Sequence, residues 1–195
     1  MSTALFGGIM IVRDVIAEVA KIAENDSLYQ KIKNNTGNAD EYVKDKIEVL
    51  LGCYKFVVRD VALNYYEFVK KMEVPVDSVA LSGFVDPIIK IVAVTDKQGN
   101  KLQYKQDYDQ ITVESCPFVL HYKTIPNVQY VTENFVYEGT EIGVNVIIYG
   151  MLAEYMLMQN RVDEALNWES KYRLALDFKR DYKSRRIKAG KTWGL

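Results

Sequence analysis

Acid–base chemistry near neutral pH usually recruits imidazole, the one side chain whose unperturbed charge changes between about pH 5 and 8. The chain has a single histidine, His121, in the alternating run Phe118-Val-Leu-His-Tyr-Lys123. No Ser or Cys pattern marks it as the base of a nucleophile, so it reads as a structural or surface imidazole. Asp107 and Asp109 could shift each other's pKa, but they stand in a Tyr-rich turn where carboxylates are solvated. Ala189-Gly190-Lys191-Thr192 superficially resembles the end of a phosphate-binding loop. The first glycine of that motif would fall at Arg185, however, and only three residues follow Thr192 where a helix must begin. Cys53 and Cys116 lie far apart, with no second ligand spaced for a metal, and read as two reduced, buried thiols. These residues predict no enzyme, no cofactor and no metal site.

Binding chemistry is better represented. From Lys179 onward the bases Lys179, Arg180, Lys183, Arg185, Arg186, Lys188 and Lys191 are opposed by Asp181 alone, in a chain whose formal net charge is -1. Such a segment carries a local positive field and is too polar to bury itself. Its Trp193 and Leu195 therefore read as groups intended for another molecule. The residues expected to meet a partner are Lys183, Arg185, Arg186, Lys188, Lys191, Trp193 and Leu195. Fourteen tyrosines add to this, because tyrosine serves interfaces as well as cores.

The elements that must position this segment follow from periodicity. With 195 residues, 49% hydrophobic and 26% charged, the chain suits one globular domain, 1–195, rather than a disordered protein. Ile9, Val12, Ile16, Val19, Ala20 and Ala23 recur at helical spacing and predict an amphipathic helix over about 9–24. The run Phe6–Val12 is too short for a membrane span and is broken by Arg13 and Asp14, so no signal peptide or transmembrane helix is expected, and synthesis in a cytosol is. Asn25-Asp26-Ser27 and Asn34-Asn35-Thr36 match the glycosylation sequon but read as loop residues. Asn38 with Glu41 forms a capping-box-like start for a long helix over about 39–72, which Pro75 stops.

Between about 79 and 125 the period becomes extended. Ile88–Val94 is rich in β-branched residues, Asp96-Lys-Gln-Gly-Asn100 is a turn cluster, and Ile111–Val113 and Phe118–Lys123 alternate. One small antiparallel sheet of three or four strands is expected, bounded by Pro87 and Pro126. From Glu141 the helical period returns, apolar nearly all round, which marks a buried central helix over about 141–159. Gln159-Asn160-Arg161 is a short joint, and a last helix over about 161–188 carries Ala165, Trp168, Tyr172, Ala175 and Tyr182 on one side before the basic tail, 183–195. The joint makes these two helices antiparallel. The expected fold is α+β: a bundle of about four main helices with a small antiparallel β-sheet insertion.

This order of elements, with the insertion closing at Lys123-Thr-Ile-Pro126 and the hairpin Ala153–Leu176, resembles the head-to-tail adaptor (connector, neck) proteins of tailed bacteriophages. The resemblance covers most of the chain in pattern, and residue by residue only Ala165, Trp168, Tyr172 and Ala175 match. It implies a structural protein of the virion neck, not an enzyme. It further implies a homo-oligomeric, dodecameric ring that docks on the portal protein, extends the DNA channel and receives the tail or a second neck protein. DNA would pass through the lumen without specific binding, and no membrane would be involved. The alternative is a nucleic-acid-binding or other protein-interaction module that uses the same basic tail; its phosphate contacts would make affinity fall steeply with salt. The hairpin also looks like one tetratricopeptide-type unit, but no second copy stands at the required period.

Overall fold

The computed structural model describes residues 10–36 and 40–188, with side chains through Asp177. It is an α+β protein whose described residues form two compact units. The first takes the described residues up to Val58 and from Val128 onward; the second is Arg59–Asn127, inserted in the sequence of the first.

The first unit is helical. Helix α1 (Val12–Ala23) buries Val12, Val15, Ile16, Ala17, Val19, Ala20 and Ala23, the face its spacing predicts. Its first N–H groups, which no helical carbonyl can reach, are bonded from outside: Val12 N–H donates to Glu133 O at 2.9 Å and Arg13 N–H to Val131 O at 2.8 Å. Helix α2 (Asp26–Lys33) follows at once, its start capped by Asn25 Oδ1, which accepts from Leu28 N–H at 2.9 Å. Asn25-Asp26-Ser27 is thus a helix start rather than a loop. The cap satisfies an otherwise orphan donor, and Leu28, Tyr29 and Ile32 gain a buried face.

Helix α3 (Glu41–Asn64) runs 24 residues. Asn38, expected in its cap, lies outside the described residues. Val43, Leu50, Cys53, Tyr54, Val57, Val58, Val61 and Ala62 are buried along it. Helix α4 (Val144–Met158) is apolar all round and buries nine of its residues, among them Met151, Leu152 and Tyr155. Complete burial of such side chains contributes about 1.5–3 kcal/mol each, which makes α4 the centre of the unit. Helix α5 (Val162–Lys188) folds back on α4, and Ala165, Tyr172 and Leu176 are its buried side. At the crossing, Gly150 leaves room for its neighbours: a Cβ there would lie 2.8 Å from Val57 Cγ1 and 3.1 Å from Tyr172 Cε2.

The second unit holds all six strands of the described chain, in two sheets. Strands β1 (Phe68–Val74), β6 (Phe118–Thr124) and β3 (Ile88–Thr95) form one antiparallel sheet in the order β1-β6-β3. Strands β2 (Ser78–Ala80), β5 (Gln110–Val113) and β4 (Tyr104–Asp107) form the other, in the order β2-β5-β4. Their inner faces share one core of Val74, Ile91, Val94, Phe118, Leu120 and Tyr122 with Ile111 and Val113. Phe84 closes it with an edge-on contact to Tyr122, ring centroids 5.2 Å apart.

Three expectations are corrected. The bundle has five helices among the described residues rather than about four, because α2 is too short and too polar to show a clear period. The β insertion is two three-stranded sheets rather than one. The long helix expected over 39–72 ends at Asn64, and the β segment opens at Phe68 instead of about 79. Phe68-Val-Lys-Lys-Met-Glu-Val74 suits a helix or a strand by composition; pairing of all seven residues with β6, Phe68 opposite Thr124 through Val74 opposite Phe118, decides for strand.

Candidate functional site

The α4–α5 hairpin carries the segment singled out for partner contact, and its joint is built as the residue types require. Asn160 adopts the left-handed conformation (φ 60°) that ends α4. Arg161 then donates through Nη1 to Ala23 O at 3.2 Å, at the last turn of α1, and pairs with Glu164. Farther along, the Trp168 ring stacks on Tyr149 with centroids 5.8 Å apart, while the Lys171 ammonium lies 3.9 Å from its centroid. Trp168 is thereby spent on packing within the hairpin.

A polar clamp ties this hairpin to α1 and α3. The Lys46 ammonium donates to Glu24 Oε1 at 2.8 Å and to Tyr155 Oη at 2.7 Å, and Tyr155 Oη donates to the same Glu24 oxygen. Burial alone would raise the Glu24 carboxyl, but hydrogen bonds from Lys46 and Tyr155 and the nearby Arg161 charge outweigh it and hold the group below the usual carboxylate range. Burial opposes the Lys46 charge as well, and the same two partners overcome it, so lysine stays protonated far into alkali. The Tyr155 hydroxyl is pushed up to about 12 by burial and by the carboxylate it bonds. Each group satisfies the other two, so the trio holds three helices together and presents no proton to a substrate.

The clamp holds α4 and the Arg161 bond to Ala23 O holds the start of α5; the helix then outlasts its partner. Its 27 residues against the 15 of α4 amount, at 1.5 Å per residue, to an excess of about 18 Å. Lys183, Arg185, Arg186 and Lys188 all fall in this last stretch of α5, on helical backbone. Lys191, Trp193 and Leu195 lie outside the described residues.

The second unit holds features that sequence reasoning passed over. Asp109 accepts from Ser82 N–H at 2.8 Å and from the Ser82 hydroxyl, while Asp109 O accepts from Leu81 N–H at 2.7 Å. This carboxylate is a lock between the 81–84 turn and the β4–β5 hairpin, not half of an acid–base pair with Asp107. The locked loops hold up two apolar side chains, Val85 at 89% and Tyr108 at 97% exposure, beside a shallow depression lined by Phe84, Pro87 and Ile88. Tyr108 does so from a left-handed backbone (φ 44°), a conformation that strains a residue with a Cβ. Only that strained φ could have drawn attention to it, and no sequence rule exposes it.

His121 is half-buried, with Nε2 3.1 Å from Thr95 Oγ1, a structural partner within the sheet. Cys53 is buried, its thiol pushed up to about 11 by burial and by the Glu154 charge. Cys116 is exposed, contrary to the expectation of two buried thiols, because it sits in the turn between β5 and β6 rather than on an inner face. Among the described residues no group of three or more His, Cys, Asp or Glu could hold a metal ion, and no helix is long and apolar enough to cross a membrane.

No protein-family model matches the chain, and no curated protein matches it.

Proposed function

We propose that the chain is a structural head-to-tail adaptor of a tailed phage: one subunit of a homo-oligomeric ring in the virion neck that docks on the portal, extends the DNA channel and receives the tail. The observation that carries the reading is the α4–α5 hairpin. Its base is anchored by the Glu24–Lys46–Tyr155 clamp, and α5 outruns α4 toward the basic segment Lys183–Leu195. A long helix that runs into a basic segment is suited to docking rather than to chemistry. In a ring every subunit offers the same segment, so modest contacts from Arg185, Arg186, Lys188 and Trp193 multiply through effective concentration. Trp193 is the expected anchor, costing about 2 kcal/mol or more on truncation, whereas rim arginines contribute less.

The test is a chain ended after Ile187, mixed with portal rings and examined by native mass spectrometry. The expected result is a folded protein, by circular dichroism and melting, that no longer joins the portal. Normal assembly of the shortened chain overturns the docking role of the segment, and a full-length chain that joins no portal overturns the adaptor reading itself.

A further inference from the structure

Tyr108 stands where a hairpin ordinarily takes glycine. Strands β4 and β5 are joined by two residues, Tyr108 and Asp109, with Asp107 opposite Gln110, and of the two only Tyr108 has a positive φ, 44°. A positive φ at the first central position is the conformation that selects glycine there. Within the subunit the ring gains almost no burial in return, since it is 97% exposed. The turn is also fixed, because Asp109 bonds it to Ser82 and Leu81 at three points. Backbone strain that surrounding bonds hold in place clusters at binding sites. Tyr108 and the 89% exposed Val85 both border the depression whose walls are Leu81, Phe84, Pro87 and Ile88, about 560 Å³ in volume. Asp109 is the one charged residue of that lining, and both its oxygens already accept from Ser82. A single exposed apolar residue is ordinary on a surface. A fixed aromatic knob beside an apolar hollow is the form of a contact anchor.

We propose that this patch is a two-fold self-association surface: Tyr108 of one copy enters the depression of a second copy, whose own Tyr108 enters that of the first. The arrangement identifies the occupant. An isologous contact needs a surface complementary to itself, residue i of one copy meeting residue j of the other and the reverse, and here knob and hollow lie side by side in one unit. With no free charge in the lining, a nucleic acid or a strongly charged protein gains nothing there, whereas a second copy brings an aromatic ring and a valine to apolar walls. The locked turn favours the contact further, because it loses little freedom on binding. Size sets the strength. Two tyrosines at about 150–250 Å² each, with the walls they cover at a like area, bury about 600–1,000 Å² in total, below the about 1,200 Å² of a stable complex. The dimer is therefore weak and forms at high concentration. The inference goes beyond the adaptor reading and does not depend on it: a ring whose subunits all point one way contains no such two-fold, so the pairing belongs to the chain outside the ring.

The test is sedimentation velocity of the full chain from about 5 to 500 µM, the range that a contact of this size calls for. A monomer that gives way to a dimer is expected. Tyr108→Gly should weaken the dimer at least about tenfold, as the loss of a buried aromatic anchor does, while its urea midpoint at low concentration is no lower than that of the parent. Val85→Asp sets a charge on a lip that is already 89% exposed, so it should weaken the dimer without unfolding the subunit. Tyr108→Phe should retain the dimer, and Tyr130→Ala, exposed in the first unit and outside the patch, should leave it within about twofold. A chain that stays monomeric at the highest concentration overturns the proposal. Equal dimerisation of the parent and the Tyr108→Gly variant also overturns it, because the contact would then lie on another surface. Growth past the dimer that depends on Tyr108 does the same, since an open head-to-tail contact would replace the two-fold one.

Discussion

Replacing Gly150 with Ala tests the helix packing at its closest point. On an isolated helix this change should stabilise by about 1 kcal/mol, because glycine is the poorer helix former. At this position the new methyl would stand 2.8 Å from Val57 Cγ1, 3.1 Å from Val57 Cγ2 and 3.1 Å from Tyr172 Cε2. Val57 is β-branched and lies mid-helix in α3, where one rotamer dominates, so it cannot swing away. Tyr172 is buried and cannot withdraw without opening the α4–α5 contact. Overpacking of this kind costs about 1–3 kcal/mol. Net of propensity, the loss should be about 0–2 kcal/mol. Val57→Ala removes the obstructing methyls and by itself should cost about 2 kcal/mol for lost burial and cavity. In that background Gly150→Ala should become neutral or stabilising, a coupling of about 1–2 kcal/mol between the two sites. Urea denaturation followed by Trp168 fluorescence, in a Trp193→Phe background so that one indole reports, measures all four corners of the cycle. A Gly150→Ala variant more stable than its parent, or one equally costly in both backgrounds, refutes the packing argument.

Three further outcomes are expected. Glu24 titrates below its ordinary value when folded, so its stabilisation is present above the unfolded carboxylate pKa and is lost as pH falls through the lowered one. Tyr155 titrates above its ordinary value, so its stabilisation is complete below about pH 10 and is lost as pH rises toward 12. Glu24→Gln should flatten the acid limb of a stability–pH profile recorded by urea titration; an acid limb identical to that of the unmodified chain would remove Glu24 from the account. Tyr108→Gly should raise stability by up to about 1 kcal/mol by relieving the left-handed strain, measured as a higher urea midpoint, and a lower midpoint would show the exposed ring to be held by packing.

The helical parts of the fold were legible where an apolar stripe had length behind it. The face of α1, the all-apolar α4 and the Gln159-Asn160-Arg161 joint are written in residues three to four apart or in a single conformational preference, and the structure has them where the spacing puts them. Phe68–Met72 reads as the end of the long helix because residues of such mixed character fit both periods. Its partner β6 stands some fifty residues downstream, where no local window reaches. The candidate docking segment was visible as charge, since seven bases against one acid need no geometry to be noticed. The clamp was not visible, because Glu24, Lys46 and Tyr155 are separated by 22 to 131 positions and each taken alone resembles an ordinary helical residue.

Composition and periodicity by themselves determined the class of the protein and its charge asymmetry: an α+β chain with a basic segment from Lys179 onward. Those properties are sums over near neighbours, and near neighbours are what a sequence records. Tertiary structure alone decided that Asp109 is a lock, that Tyr108 stands proud on a strained turn and that Lys90 faces Lys123 across a strand pair. The reason is that strand register and helix crossing join residues far apart in the chain, and charge, burial and hydrogen bonding act through space.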